Sequence, residues 1–132
     1  MITTIQFEVP GKPFPFVAQY QKLDWVKRKA FAEYCKGVRT AAMVAGVRDL
    51  KATRDAPLYI HTRAWFRDGR HPDPENVHKV IVDALLYGKS SARDKFTGGA
   101  YTPPLYDKAN PRVEVVIADG RRPLIETLPE GW

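Results

Sequence analysis

Two acidic residues that could bind a metal ion, Asp73 and Glu75, lie one residue apart and flank a proline. Pro74 disfavours the helical region for Asp73 and suits the first position of a helix itself. The sequence therefore predicts Asp73 as the N-cap of a helix and Glu75 as a residue of its first turn. Carboxylate oxygens at the rigid end of an element suit Mg²⁺, a cation that prefers hard oxygen ligands and retained waters.

A third metal ligand must come from elsewhere in the chain, because two carboxylates rarely suffice. Asp94, in the predicted loop after the helix, is the candidate. A second interpretation needs no metal: Asp73 caps the helix, Glu75 is favoured by the helix dipole, and Asp94 is an ordinary loop residue. Spacing alone leaves both interpretations open. Zinc is disfavoured, since His71 and His78 have no third soft ligand at a suitable spacing.

The predicted helix has one polar and one apolar side. Spacings of three and four residues bring Asn76, Lys79 and Asp83 to neighbouring positions. The apolar side consists of four residues, Val77, Val80, Ile81 and Ala84. Lys79 could neutralise negative charge on a reacting group, or it could pair with an acid four residues away. Asn76 and Asp83 could orient the ligands from behind, as outer partners do in metal sites.

Positive charge surrounds the acidic segment. The chain has 132 residues, with 21 Lys and Arg against 15 Asp and Glu, and a net charge of +6. Such a balance favours polyanionic partners, although many soluble domains carry as much charge. Six basic residues bracket the acids and could hold phosphates: Arg63, Arg67, Arg70, Lys89, Arg93 and Lys95.

The elements that must position these residues alternate between strands and helices. Residues 5–9 alternate as a strand that ends at a Pro and Gly cluster, and helical spacing extends from about residue 24 to residue 45. Asp24 is the predicted cap of that helix, Gly46 is its predicted end, and Gly37 could split it. Further strands are predicted at residues 57–66 and 113–118. Trp65 is predicted to be a core residue of the first of these strands.

This order predicts a single small domain of the mixed α+β class. Its β-α-β-α-β core would be a mixed sheet packed against two main helices, with residues 1–120 forming the domain and residues 121–132 a C-terminal tail. The segment with Gly98, Gly99, Pro103 and Pro104 reads as a mobile loop. Tyr101 or Tyr106 could stack on an opened nucleobase, or they could pack on the domain.

Cysteine usage and hydropathy indicate the compartment. The single cysteine, Cys35, cannot form an internal disulfide, and no N-terminal apolar stretch is long enough for a signal peptide or a membrane span. We therefore expect a cytoplasmic protein with no membrane association.

The acidic segment resembles the signature of the RusA family of endonucleases. Residues 73–79 read Asp-Pro-Glu-Asn-Val-His-Lys and are followed by Asp-Ala-Leu at residues 83–85. The family signature is Asp-x-Asp-Asn-x-x-Lys with Asp-Ala-Leu on the same helix. Its third aspartate lies in the loop beyond that helix, and Asp94 stands where this aspartate belongs, 94 − 73 = 21 positions after the first.

The resemblance implies a RusA-like fold and a homodimer that cuts Holliday junctions or other branched DNA during recombination and repair. It implies Mg²⁺ as the cofactor, with Mn²⁺ as a substitute. Asp73, Glu75 and Asp94 would be catalytic and metal-binding, and Lys79 would be catalytic. The predicted DNA-binding residues are Lys12, Arg67, Arg70, Lys89, Arg93 and Lys95.

Three departures from the family pattern bear on these expectations. Glu75 replaces an aspartate and is one methylene longer, but it keeps its oxygen donors. Arg93 precedes Asp94 where the family usually has a second acid, and the opening loop at residues 11–22 is less basic than usual. Three other functions are alternatives to a junction endonuclease. They are a non-catalytic DNA-binding dimer, a nuclease for flaps or forks, and a module that binds an acidic protein partner.

Overall fold

A five-stranded mixed sheet forms the centre of the domain. The computed structural model describes residues 4–15, 25–86 and 95–132. The elements in chain order are β1 (Ile5–Pro10), α1 (Trp25–Val44), β2 (Leu58–Phe66), α2 (Pro74–Leu85), β3 (Thr97–Gly98), β4 (Leu105–Tyr106), β5 (Arg112–Asp119) and α3 (Leu124–Thr127). The predicted mixed α+β class, with two main helices on one sheet, is confirmed.

The strand order places the last long strand in the middle of the sheet. β5 pairs antiparallel with β1 on one side and with β2 on the other. β3 and β4 both pair with β2 in the parallel direction, on the side of β2 away from β5. β2 and β5 therefore have neighbours on both sides, which agrees with the absence of any exposed residue in either strand.

The helices cover one face of the sheet and enclose the core. Alternate residues of the three long strands point to this face, among them Val9, Ile60 and Val115. α1 contributes the buried residues Cys35, Val38 and Ala42. The apolar side predicted for the second helix is confirmed, because Val77, Val80, Ile81 and Ala84 are all buried in α2.

The C-terminal segment covers part of the opposite face. The Thr127 hydroxyl and His61 Nε2 of β2 are hydrogen-bonded at 2.8 Å. Arg63 donates to the Gly131 carbonyl at 3.4 Å, and its guanidinium lies 4.9 Å from the Trp132 ring centre. The side chains of His61 and Arg63 thus attach residues 121–132 to the sheet.

A charged cluster on this second face consists of Glu114, two arginines and Trp65. Arg63 donates to both carboxylate oxygens of Glu114, at 3.2 and 3.1 Å. Trp65 Nε1 also donates to Glu114, and the Trp65 ring lies under the guanidinium of Arg112 at 4.5 Å. The prediction that Trp65 is a core residue is wrong, because it faces away from the helices and is only partly buried.

α1 spans nearly the predicted residues but is more exposed than its apolar spacing suggests. It continues through Gly37, which does not split it, and Gly46 ends it with a positive φ of 99°. Val26, the first residue of the predicted apolar stripe, is 67% exposed. The predicted cap, Asp24, lies outside the described residues.

The segment predicted to be a mobile loop is instead hydrogen-bonded along β2. Thr62 donates its backbone N–H to the Ala100 carbonyl at 3.0 Å, and Thr102 donates to the Thr62 carbonyl at 3.3 Å. Gly99 makes this approach possible, since a Cβ on it would sit 1.9 Å from the Ile60 carbonyl oxygen. Among the described residues, no helix has the length and apolar character needed to cross a membrane.

Candidate functional site

Asp73 caps α2 as the sequence predicts. Its backbone is extended, with φ −62° and ψ 129°, and its Oδ1 accepts the backbone N–H of Glu75 at 2.9 Å. Its carbonyl accepts the backbone N–H groups of Asn76 and Val77 at 3.0 and 3.2 Å. Pro74 occupies the first helical position, where its missing donor costs no hydrogen bond. The Asp73 carboxylate is therefore held in a fixed place just outside the helix.

The polar side of α2 presents alternating charges to solvent. Glu75 and Lys79 are one helical turn apart, and each side chain is 51% exposed, with Lys79 Nζ 3.8 Å from Glu75 Oε1. Asp83 follows one turn later and is also exposed, while Asn76 is partly buried. The predicted polar stripe is confirmed, and it brings Lys79 beside one of the two candidate metal ligands.

A cleft of about 330 Å³ opens next to this stripe. Its lining residues on α2 are His78, Lys79, Val82 and Asp83, and across from them lie Thr97, Gly98 and Gly99. The two glycines leave this wall without bulky side chains. The cleft thus lies between the charged side of α2 and the segment that pairs with β2.

His78, one of the residues that line the cleft, is partly buried. Its Nδ1 is hydrogen-bonded to the Thr62 hydroxyl of β2 at 2.8 Å. Burial, with a smaller contribution from the nearby His61, lowers the pKa of His78 to about 4. Near neutral pH, His78 can therefore donate or accept a hydrogen bond but adds no positive charge.

The described residues supply two of the three predicted metal ligands. The Asp73 and Glu75 carboxylates are exposed hard donors at the start of one helix, which matches the ligand chemistry of Mg²⁺. No group of three or more His, Cys, Asp or Glu able to hold a metal exists within residues 4–15, 25–86 and 95–132. Asp94, the predicted third ligand, lies outside the described residues.

The predicted DNA-binding residues fall into three groups. Lys12, Arg67 and Arg70 are exposed, and the strand register places their loops at one end of the sheet, where Pro10 and Trp65 both pair with Arg112. This is the end at which α2 begins. Lys95 is exposed but precedes β3, which pairs with the opposite end of β2. Lys89 and Arg93 lie outside the described residues.

Arg63 does not belong to this basic surface. Its pairing with Glu114 places it on the face of the sheet away from the helices. Burial raises the pKa of Glu114, but hydrogen bonds from Arg63 and Trp65 and the nearby arginine charges bring it below its ordinary value. Arg63 therefore balances a buried acid, and the expectation that it contributes to a phosphate-binding bracket is wrong.

Two contacts near the start of α2 escaped the sequence reasoning. His71 Nε2 is hydrogen-bonded to the Tyr106 hydroxyl at 2.9 Å, and the His71 ring stacks on Phe66 at 4.2 Å. The sequence alone suggests for His71 no role other than that of a zinc ligand. The pairing of Phe66 with Tyr106 between β2 and β4 creates this contact, and two-residue strands give no periodic signal in a sequence.

Comparisons with known proteins give this chain no family assignment. Searches against models of protein families and against curated proteins returned no match. The function is therefore inferred from the residues and their geometry.

Proposed function

We propose that this protein is a Mg²⁺-dependent, structure-selective endodeoxyribonuclease of the RusA type, which hydrolyses phosphodiesters in Holliday junctions or other branched DNA during recombination and repair. One observation carries the proposal: Asp73, Glu75 and Lys79 lie together at the exposed start of α2. Asp73 is fixed by the helix cap, and Lys79 is held near Glu75. Their spacing is that of the RusA signature, with glutamate in place of the second aspartate.

Asp73 and Glu75 would hold the metal ion, and Asp94 is the proposed third ligand. Bound Mg²⁺, or Mn²⁺ in its place, would supply Lewis acidity and lower the pKa of a coordinated water. The one-oxygen cap of Asp73 fits this role, because a carboxylate has a second oxygen with which to bind a cation. Asn76 and Asp83 are the proposed outer partners that orient these side chains.

Lys79 is the proposed catalytic cation. Its ammonium group lies beside a carboxylate that would bind the metal, so it can reach a phosphate bound there and offset the charge that develops during hydrolysis. Its ion pair with Glu75 is half exposed and would contribute only about 0.3–0.5 kcal/mol to stability. Stability alone therefore gives a weak reason for a lysine at this position.

The basic residues around the start of α2 would hold the DNA backbone. Lys12, Arg67 and Arg70 are exposed at this end of the sheet. Lys89, Arg93 and Lys95 are further proposed contacts, of which Lys95 precedes β3 near the opposite end of β2. We also propose a cytoplasmic homodimer, since two symmetry-related sites suit two symmetry-related strands of a junction.

Cleavage of labelled DNA tests the proposal. Four-way junctions, flaps, forks and linear duplex with shared arm sequences are incubated with the protein in Mg²⁺, in Mn²⁺ and in EDTA. We expect metal-dependent cutting of branched substrates, and loss of at least about 10²-fold in rate for Asp73→Asn and Lys79→Gln. Glu75→Asp keeps two oxygen donors and should still cut, whereas Glu75→Gln should not.

A matched control separates the site from general surface charge. Asp55→Asn removes an exposed carboxylate from the turn before β2 and should cut as the wild type does. If the wild type and Asp73→Asn both bind four-way junctions but neither cuts any substrate with either metal, the protein is a DNA-binding protein and not a nuclease. Cutting that is unchanged in Asp73→Asn would also contradict the proposal.

A further inference from the structure

Tyr106 is an exposed aromatic residue whose backbone is fixed. It belongs to β4 and pairs with Phe66 of β2, and the next residue, Asp107, donates its backbone N–H to the Phe66 carbonyl at 2.8 Å. Its side chain is nevertheless 52% exposed. The ring therefore stands on a rigid strand with about half of its surface open to a ligand.

The side chain of Tyr106 is fixed as well. The Pro72 carbonyl lies 2.7 Å from His71 Nδ1 and can only accept, so Nδ1 carries a hydrogen. In the neutral ring, Nε2 then accepts the hydrogen of the Tyr106 hydroxyl. His71 itself is held by stacking on Phe66, a core residue that is 2% exposed, with an angle of 17° between the rings.

This arrangement suits stacking by a nucleobase. An exposed tyrosine usually loses side-chain freedom when it binds a ligand, and that loss weakens binding. The hydrogen bond to His71 restrains the Tyr106 ring before any ligand binds. His71 contacts Tyr106 at a tilt of 55° and a centroid distance of 5.5 Å, so it does not cover a face of the ring as a stacked partner would.

The position of Tyr106 links it to the proposed cleavage site. His71 is two residues before Asp73, and Arg67 and Arg70 are exposed in the same connection between β2 and α2. A DNA strand whose phosphates contact these arginines would carry its bases past the tyrosine ring. We infer that Tyr106, held in place by His71, is a stacking residue for an unpaired nucleobase of the DNA substrate. This inference rests on the nuclease function proposed above.

Fluorescence of 2-aminopurine tests this inference without any cleavage. The probe is placed at an unpaired position beside the branch point of a forked DNA, and binding is measured in EDTA. We expect quenching of the probe by the wild type, and in Tyr106→Ala a loss of that quenching with a dissociation constant raised about tenfold. Tyr106→Phe keeps the ring and should keep most of the quenching. Binding to fully paired duplex should change less than about twofold in Tyr106→Ala.

Tyr101→Ala is the matched control. Tyr101 is 46% exposed on the same edge of the sheet, but its ring lies beside His78 and not beside the start of α2. The inference fails if Tyr106→Ala binds and quenches as the wild type does, or if Tyr101→Ala loses as much. Circular dichroism checks that each variant is folded.

The result is independent of the nuclease test. Quenching that depends on Tyr106 in a protein that never cuts DNA would support the stacking residue and reject the nuclease. Cutting that depends on Asp73, with no effect of Tyr106→Ala on binding or quenching, would support the nuclease and reject the stacking residue.

Discussion

At the scale of single residues, Asp73 combines two roles that substitutions can separate. One carboxylate oxygen caps α2, and the negative charge of the group suits a cation. Asparagine caps helices about as well as aspartate but lacks that charge, whereas alanine lacks both.

Both substitutions remove the charge that suits a cation, but only Asp73→Ala should also lower the stability of the protein. Asp73→Asn should unfold within about 0.5 kcal/mol of the wild type, and Asp73→Ala should lose about 1 kcal/mol because a backbone N–H of α2 loses its partner. Urea unfolding followed by circular dichroism measures both. Equal stability of Asp73→Ala and the wild type would mean that the cap contributes nothing.

Local chemistry explains which residues of the site the sequence predicts. The cap, the first-turn acid and the polar stripe depend on spacings of one to four residues, so the places of Asp73, Glu75 and Lys79 on α2 are predicted correctly. The contact between His71 and Tyr106 joins residues 35 positions apart and depends on strand pairing. No spacing rule reports such a contact.

At the scale of elements, Gly37 is a weak point in α1. It lies in the interior of the helix and is exposed, and apart from its chain neighbours and the nearby helix backbone no atom lies within 4 Å of the place where a Cβ would be. Glycine in a helix interior is less favourable than alanine, because it loses more backbone freedom on folding.

Gly37→Ala should therefore stabilise the protein by about 0.5–1 kcal/mol. Gly46→Ala is the contrasting variant. Gly46 has φ 99°, which L side chains rarely adopt, so alanine there should destabilise the protein by about 1 kcal/mol even though space is available. Thermal and urea unfolding measure both changes. A Gly37→Ala variant less stable than the wild type would contradict this account of α1.

The long elements are predictable and the short ones are not. β1, β2, β5 and both main helices carry clear periodic patterns, and all are found within one or two residues of the predicted positions. β3 and β4 have two residues each, in a segment rich in glycine and proline that reads as a loop. Their existence depends on the open edge of β2, which is a property of the sheet.

At the scale of the whole molecule, the buried His61 and the partly buried His78 couple stability to pH. Burial lowers the pKa values of His61 and His78, the latter from 6.5 to about 4. The unfolded chain therefore binds protons between about pH 6.5 and pH 4 that the folded state does not bind, and stability falls as the pH falls through this range.

His78→Asn should reduce this acid sensitivity. One proton can contribute at most about 1.4 kcal/mol per pH unit to the slope of the unfolding free energy against pH. The slope of the variant near pH 5 should therefore be smaller than that of the wild type by about 1 kcal/mol per pH unit. Thr62→Val is the control, because it removes the hydrogen-bond partner but keeps the imidazole in place. It should lower stability at every pH while it retains most of the slope. Urea unfolding from pH 4 to pH 7 gives both slopes, and an unchanged slope in His78→Asn would contradict the assignment.

The central position of β5 has a consequence for how the chain folds during synthesis. β1 and β2 do not touch each other as neighbours; each is paired to β5, whose residues 112–119 are made after both. Until β5 is made, neither strand has its main hydrogen-bonding partner, and the edges of β1 and β2 that pair with β5 remain unpaired. The sheet forms only when β5 leaves the exit tunnel of the ribosome and inserts between β1 and β2. Sheet formation is therefore late and depends on contacts between residues far apart in the sequence.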